Sequence, residues 1–157
     1  MKSIELLWAP WRVEYIKGKK PRGCVLCSKT KDRGGDILYR SKYSFVVLNK
    51  YPYNSGHLMV FPKRHLKDID GLSGNEMADL INSLKLSIRA LKKGFGPHGF
   101  NIGMNIGRVA GAGIAGHLHI HVVPRWNGDT NFMPVLAETR VIPEHLKSTY
   151  LRLKEYF

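Results

Sequence analysis

The run His117-Leu118-His119-Ile120-His121-Val122-Val123-Pro124 has one regular conformation that sorts its two kinds of side chain. Side chains alternate across an extended strand, so His117, His119 and His121 share one face while Leu118, Ile120 and Val122 share the other. The apolar face needs covering elements. The imidazole face has no packing reason to be all histidine. One histidine in a strand is ordinarily a satisfied structural residue. Three at period two point to metal binding or to nucleophilic and acid–base work near neutral pH. Just upstream, Gly107-Arg108-Val109-Ala110-Gly111-Ala112-Gly113-Ile114-Ala115-Gly116 holds four glycines. Alone, such a segment reads as a flexible turn. Glycines also let the backbone approach a ligand and aim N–H groups at an anion. Loop and histidine row together suit phosphorus chemistry, with backbone donors holding a phosphate while an imidazole attacks.

The rest of the chain supplies a frame for that strand. Residues 37–39 and 45–48 are aromatic and β-branched and read as two strands joined near Ser41-Lys42. Tyr51-Pro52-Tyr53-Asn54-Ser55-Gly56 is a turn-rich connection into a third strand over 57–61, ended by Pro62. Met77, Leu80, Ile81, Leu84, Ile88 and Leu91 recur at offsets of three and four, which predicts an amphipathic helix over 75–93. Ser73 and Glu76 form a capping-box pattern at its start, and Gly94 with Gly96-Pro97 marks its end. Residues 100–105 read as a fourth strand and 117–123 as a fifth. The stretch 143–157 carries Leu146, Tyr150, Leu153 and Phe157 at helical spacing, with Pro143 in the first turn. Hairpin strands, a long helix and further strands predict an α+β fold with an antiparallel sheet and a C-terminal helix. Residues 28–36 read as a loop. Residues 1–23 read as an N-terminal arm that packs through Trp8, Pro10 and Trp11 on the domain or on a second subunit, since exposed aromatics are costly. The expected units are this arm, a domain over 24–140 and a helical extension over 141–157.

With 157 residues, 43% hydrophobic, the chain can bury one sizeable core. No apolar run nears the ~20 residues that span a bilayer, and the N-terminal stretch has no segment of secretory type. The expectation is a soluble, cytoplasmic protein without a membrane partner. A net charge of +13, from 25 basic and 12 acidic residues, favours an anionic partner. Nucleic acid, a polyphosphate ligand, an acidic membrane surface and a merely solubilising lysine-rich surface all fit. The two cysteines, Cys24 and Cys27, are too few for a disulfide framework, and their spacing points to metal binding or redox chemistry. A reduced, partly buried pair is the plainer alternative.

His-Leu-His-Ile-His-Val-Val, with the upstream block Leu48-Asn49-Lys50-Tyr51-Pro52-Tyr53-Asn54-Ser55-Gly56-His57-Leu58-Met59-Val60, resembles the histidine-triad family of nucleotide hydrolases and transferases over roughly residues 24–130. The resemblance implies that the middle histidine, His119, forms a covalent nucleotidyl-phosphoramidate. It places His121 beside the phosphate, His57 close to the triad, Asn49 at the ribose and Asn105 at a phosphate. Many hydrolase branches carry a glutamine followed by a hydroxyl residue before the triad. Here Gly113 and Ile114 follow Gly111-Ala112, so backbone N–H groups of this loop take over the phosphate contacts. Val-Pro-Arg-Trp-Asn-Gly-Asp after the triad and Leu7-Trp8-Ala9-Pro10-Trp11-Arg12 are similar to a bacterial and archaeal branch of diadenosine tetraphosphate phosphorylases or ATP adenylyltransferases. Several family members bind zinc through a cysteine pair and two histidines, which implies a structural zinc on Cys24, Cys27, His65 and His117. The family also implies a homodimer formed through helix and sheet edge.

The expectation is thus cleavage of an adenine nucleotide or dinucleoside polyphosphate, with phosphate favoured over water as acceptor. Two alternatives stand beside it. One is a nucleotide-responsive module that holds nucleic acid or a protein partner, which the charge favours and an intact His119 disfavours. The other is a purine-nucleoside phosphoramidate hydrolase, against which Gly113 and the added arms argue.

Overall fold

A computed structural model describes residues 23–31, 36–129, 142 and 144–157. The arm with Trp8, Pro10 and Trp11, and Pro143, lie outside the described residues, Gly23 apart. Three helices are described, α1 (Val25–Lys31), α2 (Gly74–Phe95) and α3 (Leu146–Lys154). The strands are β1 (Ile37–Arg40), β2 (Ser44–Leu48), β3 (Leu58–Pro62), β4 (Gly99–Met104) and β5 (Ile120–Arg125). They form one antiparallel sheet in the order β1-β2-β3-β5-β4. The expected α+β class with a long helix and a C-terminal helix is observed. Among the described residues, no helix is long and apolar enough to cross a membrane.

Period two along β2 and β3 divides the core between the sheet's faces. Val46, Leu48, Leu58, Val60, Ile120 and Val122 face one way and pack with Leu80, Ala90 and Leu91 of α2 and Leu153 of α3. Phe45, Val47, Met59 and Phe61 face the other way and pack with Leu26 of α1 and Ile37. Helices α2 and α3 therefore fill the first face, and the histidine row emerges on the second, which α1 covers in part. Burial of an apolar side chain contributes about 1.5–3 kcal/mol, so these two layers fix which face β5 turns to the site.

Four sequence expectations shift. Residues 28–31 are not loop: α1 carries Cys27 and Ser28, and it forms because Leu26, fully buried, anchors it on the second layer. The fifth strand starts at Ile120, not His117, because Leu118 N–H bonds the Leu66 carbonyl at 2.7 Å and His117 N–H bonds the Ile114 carbonyl. Pro124 lies inside that strand. It sits past the last β3 pair, Leu58–Val122, where the ladder has only β4 to bond. Gly94 lies inside α2, and Gly96, left-handed at φ 54°, caps it. A Cβ on Gly94 would stand 3.3 Å from Tyr156 and 3.4 Å from Leu153, so this glycine lets the C-terminal segment close on α2. The Ser73–Glu76 capping box is present.

Candidate active site

His119 enters the site from the irregular backbone just ahead of β5. Its Nδ1 lies 2.8 Å from the carbonyl of His117. A carbonyl only accepts, so the neutral ring carries its proton on Nδ1 and keeps a lone pair on Nε2. The residue is 4% exposed. Its ring stands edge-on to His121, with centroids 4.9 Å apart. A neutral imidazole with this tautomer can act as a nucleophile through Nε2.

His121 belongs to a second chain of hydrogen bonds, whose direction is also set by the backbone. Tyr53 N–H donates to His57 Nδ1 at 3.0 Å, and the Asn49 amide nitrogen lies 3.2 Å from the same atom. Asn49 Oδ1 accepts from Tyr51 N–H, which leaves its NH2 turned to His57. His57 Nδ1 is therefore an acceptor, and its proton sits on Nε2. That Nε2 donates to His121 Nδ1 at 2.9 Å. His121 must then carry its own proton on Nε2, as a donor available to a substrate. Burial, and then the neighbouring charges of His121 and His119, push His57 down to about 3. Burial and then His119 push His121 down to about 4. Both rings are neutral at physiological pH, as the hydrogen-bond directions require.

The glycine segment forms a compact turn. Gly107 and Gly111 adopt positive φ, both 85°, on either side of a short 3-10 turn over Arg108–Ala110. Gly111 N–H bonds the Arg108 carbonyl, Ala112 N–H bonds the Gly107 carbonyl, and Asn105 Nδ2 reaches the Gly111 carbonyl at 3.5 Å. Asn105 and Gly111 are thus bonded to each other within the turn. Gly113, Ile114, Ala115 and Gly116 donate no backbone hydrogen bond to a described residue. Backbone N–H groups that converge on one point bind anions, which is the chemistry such a loop can supply.

The cysteine pair and two histidines meet on the far side of His117. One ligand atom from each of Cys24, Cys27, His65 and His117 lies within 4.8 Å of the others. Cys24 Sγ and Cys27 Sγ stand 3.3 and 3.4 Å from His117 Nδ1, and Cys27 Sγ stands 3.2 Å from His65 Nδ1. A tetrahedral zinc with bonds of about 2.3 Å to sulfur and about 2.0–2.1 Å to nitrogen has ligand–ligand edges of roughly 3.3–3.8 Å, so the donor set fits such an ion. His117 Nε2 donates to the Pro62 carbonyl at 2.9 Å, which fixes Nδ1 as the bare nitrogen. The segment bearing His65 is held by Arg64, which grips Glu76 of α2 through Nε at 2.9 Å and Nη2 at 2.8 Å and bonds the Gly71 carbonyl.

The sequence reading missed Tyr53, whose ring lies over both His57 and His121, and the carbonyls of Pro62 and Leu66 that hold the triad segment. Backbone acceptors leave no sequence signal. Tyr53 leaves a faint one: a bulky ring in a turn otherwise built of Pro, Asn, Ser and Gly.

Comparison with known proteins agrees with this geometry. The HIT domain model matches residues 31–128. An AP-4-A phosphorylase of Mycobacterium tuberculosis is 38% identical over 158 residues, covering 94% of this chain and 81% of that protein. The asymmetrical bis(5'-nucleosyl)-tetraphosphatase of Schizosaccharomyces pombe is 32% identical over 125 residues, covering 79% of this chain and 68% of that protein. The crystal structure of a Zn-bound histidine triad family protein from Mycobacterium smegmatis superposes with a TM-score of 0.69 at 27% identity, covering 85% of this chain and 92% of that one. The histidine row, its supporting sheet and these matches lead to one conclusion: the chain belongs to the HIT, or histidine-triad, domain family.

Proposed function

We propose that this protein transfers an adenylyl group from a dinucleoside polyphosphate, diadenosine tetraphosphate in the first instance, to inorganic phosphate by way of a covalent intermediate on His119. The observation that carries the reading is the bond from His119 Nδ1–H to the His117 carbonyl, which leaves the Nε2 lone pair as nucleophile. Nε2 attacks the α-phosphorus. The P–O bond to the leaving triphosphate breaks, and the leaving oxygen accepts a hydrogen bond from His121 Nε2–H. The N–H groups from Gly113 to Gly116 stabilise charge on the phosphoryl oxygens. Phosphate then attacks the phosphoramidate, the P–N bond breaks and its electron pair returns to Nε2. The family resemblance assigns Asn49 to the ribose and Asn105 to a phosphate; here Asn49 turns its amide to His57, and Asn105 bonds the Gly111 carbonyl of the donor loop. The names of the two relatives, a phosphorylase and a tetraphosphatase, support this substrate class.

The acceptor decides the product. With phosphate present, diadenosine tetraphosphate should give ATP and ADP. With water alone it should give ATP and AMP, more slowly. Chromatographic analysis of both reactions is the test. Two molecules of ADP without phosphate would place the attack at a different phosphorus and contradict the scheme.

Cys24, Cys27, His65 and His117 would hold a zinc ion, which supplies structure: it ties the start of α1 to the triad segment and leaves His119 free. A homodimer completes the proposal. β4 is an edge strand that exposes Ile102 and Met104, followed by exposed Ile106, and unpaired apolar edges recruit another chain. Light scattering should give twice 17.8 kDa at micromolar concentration, and a mass near 17.8 kDa would rule the dimer out.

A further inference from the structure

Tyr53 is a large aromatic residue in a turn, 47% exposed, whose ring covers two imidazoles at once. Its centroid lies 4.6 Å from that of His57 and 5.6 Å from that of His121, nearly parallel to the latter at 26°. His57 is fully buried beneath it. The Tyr53 backbone N–H supplies the bond that makes His57 Nδ1 an acceptor. One residue thus fixes the direction of the His57–His121 hydrogen bond with its main chain and roofs that bond with its side chain. We propose that Tyr53 is a positioning residue, whose ring keeps water from the His57–His121 pair and thereby holds His121 as the neutral Nε2–H donor. This role rests on the proposed transfer reaction, in which His121 faces the leaving oxygen.

The 2.9 Å contact between His57 Nε2 and His121 Nδ1 has one neutral arrangement as long as no other donor reaches His121 Nδ1. Water is such a donor. Admitted to the pair, it satisfies Nδ1 in place of His57 or accepts from it, and both tautomers of His121 become populated. Water also lowers the cost of charging either ring, since burial is the first cause holding both in the neutral form. Among the described residues, the titratable groups facing the pair are His119 ahead of β5 and Tyr53 itself on the turn. The roof acts by excluding water.

The test compares wild type with Tyr53→Ala and Tyr53→Phe. All three keep the backbone N–H, and only the alanine variant loses the ring. Nitrogen-15 spectra of the imidazoles in the ligand-free protein report tautomer and protonation directly. Wild type and Tyr53→Phe should show His121 with its proton on Nε2. Tyr53→Ala should show mixed tautomers and protonation of the pair at a pH higher by about one unit or more. In turnover, Tyr53→Ala should lose roughly tenfold in kcat with KM nearly unchanged, and Tyr53→Phe should stay close to wild type. An alanine variant with wild-type tautomer and titration overturns the proposal. A loss confined to KM does so too, because it assigns the ring to substrate contact. The spectra need no substrate, so failure of the protein to cleave dinucleotides would count against the proposed function while leaving this inference to be decided by the imidazole signals.

Discussion

His119→Gln is expected to lower turnover of diadenosine tetraphosphate by on the order of a thousandfold or more, with nucleotide affinity within a few-fold of wild type. Glutamine is close to histidine in size, and its amide N–H can take over the bond to the His117 carbonyl that Nδ1 makes in the wild type. The position is buried, so a smaller residue would leave a cavity that glutamine avoids. What the variant lacks is a lone pair on nitrogen beside the α-phosphorus. Without it no phosphoramidate forms, and on the proposed scheme a bound nucleotide does not react. A barrier increase of about 4 kcal/mol corresponds to that loss. Steady-state cleavage beside nucleotide titration is the measurement. Retention of more than about a tenth of the wild-type rate would mean that His119 is not the nucleophile.

Removing the sulfur ligands is expected to have the largest effect on stability. Cys24→Ser with Cys27→Ser should yield protein without bound zinc that melts roughly 10 °C lower than wild type. The four donors come from α1 and the residue before it, the stretch after β3, and the triad segment. A zinc ion there would cross-link three parts of the chain that otherwise meet through few side chains. The loss should reach the chemistry as well. His117 would hold the ion with its ring and holds His119 with its carbonyl, so a looser His117 gives a less certain tautomer at the nucleophile. Elemental analysis of protein purified without chelator, beside thermal unfolding of both forms, tests this. Wild-type protein that carries no stoichiometric zinc, or a double variant that melts with the wild type, would refute the zinc proposal.

The site was legible in the sequence to an uneven degree, for physical reasons. The His117, His119 and His121 row could be read because alternation forces shared faces, and α2 because its apolar period is long and its cap is local. The Cys24, Cys27, His65 and His117 cluster followed from family resemblance, and the structure brings all four together. α1 escaped because Ser28-Lys29-Thr30-Lys31 has no apolar period. Its helix depends on Leu26 docking under the sheet, a tertiary effect. The strand boundary at Ile120 escaped because the competing acceptor, the Leu66 carbonyl, lies far off in sequence. Asn105 was assigned to a phosphate by position, and the bond its side chain makes to the Gly111 carbonyl could not be read from the sequence. Which hydrogen bonds set each imidazole's tautomer depends on backbone groups, and residue types alone do not disclose them.

During turnover a nucleotidyl group should rest on His119. Protein mixed with diadenosine tetraphosphate in the absence of phosphate, quenched in alkali within the first turnover and digested for mass spectrometry, tests it most directly. An added adenylyl mass is expected on the peptide containing His119. The adduct should survive base and be lost in acid, as a phosphoramidate is, and His119→Gln should not form it. Complete cleavage with no adduct at any time, or an adduct on another residue that persists in His119→Gln, would contradict the account.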